Sequence, residues 1–365
     1  MGDAHRIGVV GLGVISRAYL DTLVGCDAVR VTAVADLDAS RSAAVAAELP
    51  GVRALSVEEL LNSPDVDTVL NLTVPAAHAE IALGAVARGK NVYGEKPLAA
   101  ELFDAQAVLE AAAKASVRVG CAPDTVLGTG VQTARAAVEA GAIGRPLFAT
   151  AVMVTPGHER WHPQPDFYYA PGGGPLLDMG PYYLSSLVHL LGPVRAVVGA
   201  SSRLRSERVI GSGPRAGERI PVEVDSHVSG VLEHRGGALT TLTTSFDGVA
   251  TTAAPIEVHG ETGTLTLPDP NHFDGEVRLL ELGGSERRAL PPSAGYVDGA
   301  RGVGLLDFVA ADGGRRERAS GELALHVLET MTALLRSSAE GRRIELSTSV
   351  ERPAPVPLTP AEQWR

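Results

Sequence analysis

The stretch Val9-Val10-Gly11-Leu12-Gly13-Val14-Ile15-Ser16 decides how the rest of the chain is read. The apolar, β-branched run at 7–10 has the length of a buried strand, and it passes through two glycines spaced G-x-G into a stretch at 16–23 with apolar residues three and four apart. Strand, glycine turn and helix in that order form the dinucleotide fingerprint. Gly11 permits the tight turn, and Gly13 lets backbone approach a pyrophosphate. The helix opening near Ser16 offers unpaired N–H groups and a positive dipole end to phosphate oxygens, so Val14, Ile15 and Ser16 join the candidate set. Ser16 stands where a third glycine is usual and is small enough for close helix-to-strand packing. A second strand at 29–35 leads into Asp36, roughly 20 residues past the glycine turn, where a carboxylate binds ribose hydroxyls. Asp36 favours NAD, while the nearby Arg41 keeps NADP possible.

Outward from this point, short β-branched runs at 68–73, 91–93 and 117–120 alternate with helical patterns at 39–49, 76–88 and 102–115, with Gly51 and Gly89 at C-cap positions. That is the pattern of βαβ units building a parallel sheet buried on both faces. After a helix at 130–140 the pattern changes to β-rich runs at 147–154, 194–202, 222–232, 238–245 and 263–267. In one of them Val222, Val224 and Ser226 alternate with Glu223, Asp225 and His227, so one face is buried and the other open. The predicted fold is an α/β N-terminal Rossmann domain (1–122) followed by an α+β substrate-binding and oligomerisation domain (123–365) with a large, mostly antiparallel, open-faced sheet. A helix at 323–335 and a Pro-rich tail at 352–360, read as extended surface packing or a partner-clasping arm, close the chain.

Composition narrows the function. Length 365 suits two domains, and 45% apolar with 21% charged residues argues against disorder despite 41 Gly and 24 Pro. With 32 Lys plus Arg against 43 Asp plus Glu the net charge is -11, which leaves no broad basic face for nucleic acid. No run of 18 apolar residues suggests a membrane span, and the N-terminal MGDAHRIGVVGLG lacks a signal-peptide pattern. Cys26 and Cys121 alone are too few for a disulfide framework, so a reducing cytoplasm fits. Neither a clustered Cys/His metal set nor a G-x-S-x-G elbow occurs, so no metal and no serine-hydrolase chemistry is expected.

Thr73-Val74-Pro75-x-x-His78 and Tyr93-Gly94-Glu95-Lys96-Pro97 fall at the carboxyl edge of the predicted sheet, where open α/β folds bind ligands. Thr73, Pro75, His78, Glu95 and Lys96 therefore extend the candidate cofactor site. Further on comes Gly172-Gly173-Gly174-Pro175-Leu176-Leu177-Asp178-Met179-Gly180-Pro181-Tyr182-Tyr183. With the fingerprint, these segments resemble the glucose-fructose oxidoreductase, inositol dehydrogenase and MocA family over the whole chain. That family carries Glu-Lys-Pro at the first point and a Gly-rich turn followed by D-x-G-x-H at the second. The family's cis Lys-Pro bond implies a Lys96 directed into the cleft. The resemblance also implies self-association, and a dimer or tetramer through the open sheet is the expectation.

Reversible oxidation of an alcohol needs a hydride acceptor held near the carbinol carbon, a group to take the hydroxyl proton, and a cation for developing oxyanion character. Lys96 can supply the cation. Asp178 and Tyr182, four apart, share a face if the segment is helical. Tyr182 stands where most of the family has histidine. A phenol titrates near ~10, so it donates naturally in the reducing direction and acts as a base only if a cation such as Lys96 lowers its pKa. Tyr182 is assigned as proton donor and acceptor and Asp178 as binding or orienting substrate, with Tyr183 taking the role of Tyr182 if the register differs. Trp161 could pack a sugar face and His162 bond a hydroxyl. His158, Asp166, Tyr168 and Tyr169 stay unassigned on the same loop, and His189 and His227 read as structural. The expected function is an NAD(P)-dependent oxidoreductase of a sugar, polyol or related cyclic alcohol. Its rivals are an NAD-dependent glycosidase working by transient oxidation and elimination, and a non-catalytic NAD-binding regulator.

Overall fold

A computed structural model describes residues 4–311 and 317–365, so the first three residues of the N-terminal stretch lie outside the described residues. The chain divides into two compact units, one made of Met1–Thr129, Ala294–Leu325 and Pro353–Arg365, the other of Gly130–Ser293 and His326–Arg352.

In the first unit β1 (His5–Val10), α1 (Val14–Leu23), β2 (Val29–Ala35), α2 (Ala39–Glu48), β3 (Arg53–Ala54), α3 (Val57–Asn62), β4 (Thr68–Asn71), α4 (His78–Val86), β5 (Asn91–Gly94), α5 (Leu102–Ala115) and β6 (Val119–Cys121) follow one another. The six strands are parallel in the order β3-β2-β1-β4-β5-β6. Ile7, Val9, Val10, Val34, Val69 and Leu70 are all buried, as a doubly covered parallel sheet requires. The strand order reverses between β1 and β4, and ligands of such sheets bind outside the carboxyl ends at that point. The register makes this edge concrete. Val10 lies opposite Ala35 and Asn71, and Asn71 opposite Gly94, so the segments that begin at Gly11, Asp36, Leu72 and Glu95 leave the sheet together.

Several features depart from the sequence reading, among them the following. The first helix starts at Val14, with Gly13 as its N-cap, two residues before the expected opening. The pair β3 and α3 was not foreseen, although Ser56-x-x-Glu59 is a capping-box signature and both of its reciprocal bonds form. The sixth strand is Val119–Cys121, displaced from the expected 117–120.

The second unit contains α6 (Thr129–Glu139, beginning one residue earlier), β7 (Pro146–Val154), α7 (Pro175–Leu191), β8 (Val194–Ser202), β9 (Glu207–Val209), β10 (Arg219–Pro221), β11 (His227–His234), β12 (Leu239–Ser245), β13 (Ile256–Gly260), β14 (Gly263–Leu267), β15 (Val277–Glu281) and β16 (Arg288–Leu290). After it come α8 (Val303–Ala310), α9 (Gly321–Glu340), β17 (Ile344–Glu345) and α10 (Ala361–Trp364). The large sheet runs β16-β15-β14-β13-β7-β12-β11-β8-β17 and is antiparallel except for the parallel pair β12 and β7. The expected strand at 222–232 is broken. Residues 222–226 are not a strand, because the N–H groups of Val222, Glu223 and Ser226 donate to Ser206, Tyr169 and Ser202. The alternation read there belongs to a loop. One sheet face is helix-covered: a Cβ on Gly199 or Gly230 would collide with Leu334 of α9. On the opposite face Phe148, Val198, Val231 and Leu239 remain 37–48% exposed.

The compact units are not two consecutive stretches, because the chain returns to the first one twice. Asp124, buried and held above its ordinary carboxyl range by that burial, accepts from the N–H groups of Gly302 and Gly304 at the start of α8. Arg118 then stacks 4.4 Å over Phe308 and donates to the carbonyls of Phe308 and Ala311. The Pro-rich tail packs on its own chain and is no free arm: Thr359 exchanges backbone bonds with Gly295 and Val297, and the Trp364 indole donates to Val297. Among the described residues no helix is long and apolar enough to cross a membrane.

Candidate functional site

The glycine turn shows two different demands. Gly11 has φ +92°, and a Cβ there would sit 2.6–2.7 Å from the backbone of Leu72 and Thr73, so the fold itself requires glycine. Gly13 has φ -74° and nothing within 4 Å of a built Cβ, so the protein places no demand on it. That open space lies at the N-terminus of α1, the positive end of the helix dipole, and Val14 beside it is 98% exposed. A diphosphate fits such a place. Ser16 does not reach outward. It is buried, and both its hydroxyl and its N–H donate to the Gly13 carbonyl, at 2.7 and 3.1 Å, so it braces the turn.

Asp36 clasps the same turn. One carboxylate oxygen accepts from Leu12 N–H at 2.7 Å and the other from Asp38 N–H at 2.9 Å. A carboxylate has about four acceptor sites, so capacity remains for ribose hydroxyls. The Arg41 guanidinium is shared between Asp36 at 3.9 Å and Asp38 at 3.6 Å. Leu37, wholly exposed, and Val74, 67% exposed, flank this edge. The reading from sequence quoted Val74 only within the edge motif and left Leu37 out; a bare leucine directly after Asp36 was the available signal.

His78 changes role. It is buried, with Nδ1 2.6 Å from the Pro97 carbonyl and Nε2 2.9 Å from the Thr73 carbonyl, so it ties two edge loops together and has no free nitrogen for a cofactor. Asn71, buried and missed from sequence, completes the brace by donating to the His78 carbonyl and accepting from the Thr73 hydroxyl. Pro75 opens the exposed 3-10 turn Pro75–Ala77. Glu95 is also a brace. Its carboxylate accepts from Tyr19 Oη at 2.8 Å and from Lys96 N–H at 3.0 Å. Burial, then the adjacent Glu95, push the Tyr19 hydroxyl well up, so it stays a donor. The half-buried Lys96 follows this anchored residue, and its bond to Pro97 is cis.

In the second unit Gly174, at φ +93°, caps α7, which sets Asp178 in the first turn and Tyr182 one turn later on the same face. Tyr183 points elsewhere: it is 2% exposed, and burial followed by the Asp269 carboxylate pushes its hydroxyl well up, which marks a core phenol. His158, unassigned from sequence, places Nε2 3.1 Å from Asp178 Oδ2. Trp161 is 59% exposed with its ring 5.3 Å from that of His158, and His162 accepts from Gln164 N–H. Asp166 forms a two-point pair with Arg215, whose hydrogen bonds hold it below the usual carboxylate range. Tyr169 is a buried partner of Glu159. His189, with Nδ1 beside Gln132 and Arg135, is fully buried, and His227 sits half-buried beside Ser229.

A glycine turn at a helix N-terminus, closed by a carboxylate at the end of the next strand, is the arrangement of a dinucleotide-binding fold. Comparison with known proteins agrees. The family described as oxidoreductase family, NAD-binding Rossmann fold matches residues 5–122, and the GFO/IDH/MocA C-terminal domain matches residues 131–266. The chain is 30% identical over 358 residues to 1,5-anhydro-D-fructose reductase of Ensifer adhaerens, covering 95% of this chain and 100% of that protein. It is 29% identical over 269 residues to inositol 2-dehydrogenase 3 of Saccharopolyspora erythraea, 73% of each chain. An NAD binding oxidoreductase from Klebsiella pneumoniae has the same fold, with a TM-score of 0.83 at 23% identity over 95% of this chain and 100% of that one. The chain belongs to the GFO/IDH/MocA family and is an NAD-binding oxidoreductase.

Proposed function

We propose that the protein interconverts a carbinol and a carbonyl on a sugar, polyol or related cyclic alcohol. The observation that carries the reading is Asp178 and Tyr182, one turn apart at the head of α7, in a chain similar over almost its whole length to a sugar reductase. The chemistry that NAD supplies when bound is hydride exchange at its nicotinamide carbon. The Gly11–Ile15 turn would hold the diphosphate, Asp36 would accept from the ribose hydroxyls, and Leu37 and Val74 would offer apolar surface to the base. Thr73 and Pro75 line the same edge.

In the reducing direction Tyr182 Oη donates its proton to the carbonyl oxygen, and the negative charge that develops there needs a cation, the role assigned to Lys96. In the oxidising direction the deprotonated Tyr182 oxygen takes the hydroxyl proton back. Asp178 accepts from a substrate hydroxyl and fixes which carbon reacts. Trp161 offers an aromatic face to the apolar side of the ring and His162 a polar contact at its rim. The open sheet face bearing Phe148, Val198, Val231 and Leu239 would be covered by a second copy. A panel of sugars, polyols and ketosugars with NAD(H) and NADP(H), followed at the nicotinamide absorbance, tests the function: turnover favouring NAD(H) is expected. Silence across the panel refutes it, and glycoside release without net NADH change would replace it with the elimination chemistry.

A further inference from the structure

The loop before α7 builds a clamp for Asp178. Gly157, at φ +104°, turns the chain so tightly that a Cβ would meet the Glu159 carboxylate and the Tyr169 hydroxyl. Glu159 is itself buried and held by Tyr169 and by Arg208 at 3.2 Å, so the 3-10 turn His158–Arg160 has a fixed floor. Above it the His158 carbonyl accepts from Trp161 and His162 N–H, which fixes the backbone. The imidazole is packed against three rings: Phe246 at 4.5 Å, Tyr168 at 4.7 Å and Trp161 at 5.3 Å between centroids. A ring confined by aromatic neighbours cannot swing to a new partner without losing that packing. Its Nε2 ends 3.1 Å from Asp178 Oδ2, with both side chains largely shielded. An ionised carboxylate only accepts, so Nε2 carries the hydrogen.

We propose that His158 is a positioning residue: through its Nε2–H it fixes the orientation of the Asp178 carboxylate toward substrate, and the aromatic clamp on its ring is what makes that orientation rigid. The inference rests on the reading that Asp178 binds substrate. Two substitutions separate packing from donation. His158→Phe keeps a ring in the clamp and deletes the donor; His158→Gln keeps an N–H within reach of Oδ2 and gives up the ring.

The test uses the full-length, NAD-loaded protein, with crystal structures of both variants and kinetics on inositol with NAD and on 1,5-anhydro-D-fructose with NADH. In His158→Phe the carboxylate should rotate away from its wild-type position and kcat/KM should fall about tenfold or more, the scale of a lost charged hydrogen bond, with NAD affinity unchanged. His158→Gln should recover most of both. An unmoved Asp178 in His158→Phe, or failure of the Gln variant to recover position, overturns the proposal whether or not either probe is turned over. Full turnover in Asp178→Ala would instead overturn the reading of Asp178 on which the inference rests.

Discussion

Gly11 and Gly13 are two residues apart, yet alanine at each should fail for opposite reasons. Gly11→Ala must place a methyl 2.6 Å from the Leu72 carbonyl carbon at φ +92°. The left-handed backbone costs about 1–3 kcal/mol and the collision with a neighbouring strand end about 1–3 kcal/mol more. The sum, about 2–6 kcal/mol, is a large part of a domain's stability. Gly13→Ala meets no protein atom within 4 Å at φ -74°, so the apo protein should lose nothing and could gain a few tenths of a kcal/mol from a less flexible unfolded chain. What the methyl does fill is the space assigned to the diphosphate, and NAD affinity should drop at least about tenfold, or about 1.4 kcal/mol. Thermal melts of the apo variants and calorimetric titration with NAD read the two effects separately. If Gly13→Ala melts early, or binds NAD as wild type does, then the reasoning that this glycine serves the cofactor is wrong.

Other outcomes follow from the same geometry. Asp36→Ala removes the acceptor of the Leu12 and Asp38 N–H groups, so NAD binding should weaken by about tenfold or more while the preference over NADP shrinks, measured by parallel titrations. His326, with Nε2 accepting from Val194 N–H, has its pKa pushed down to about 4, by burial first. The unfolded chain therefore binds the proton more readily, and stability present above pH ~6.5 is lost as pH falls toward 4, by about 3 kcal/mol. Urea midpoints between pH 7 and 4 should show this slope, and His326→Gln should flatten it. With the open sheet face covered by a second copy as proposed, light scattering should give an oligomeric mass for the wild type and a one-subunit mass for Phe148→Arg; an unchanged mass in the variant would locate the interface elsewhere.

The sequence made the first unit legible because its signals are local. Periodicity placed β2 and α5 at the residues where they occur, and the fingerprint located the turn after β1. Local signals also misled. The run at 222–232 alternates like a strand, but loop carbonyls capture its first N–H groups, and only tertiary contacts reveal that. His78 looked like a cofactor contact because it ends a sheet-edge loop; its burial depends on Pro97, nineteen positions away. The return of 294–325 to the first unit rests on the pairing of Asp124 with Gly302, which no pattern in either segment announces. The same holds for His158, whose partner Asp178 lies twenty positions on, across a glycine-rich loop.

The central claim is that Lys96 and Tyr182 carry the charge and the proton of one alcohol–carbonyl conversion. Steady-state kinetics of Lys96→Ala and Tyr182→Phe, on the best substrate from the sugar panel and with NAD affinity measured alongside, test it most directly. Losses in kcat of about 10²–10⁴-fold in both variants, with cofactor affinity within a few-fold of wild type in Tyr182→Phe, are predicted; wild-type turnover in both variants would contradict it.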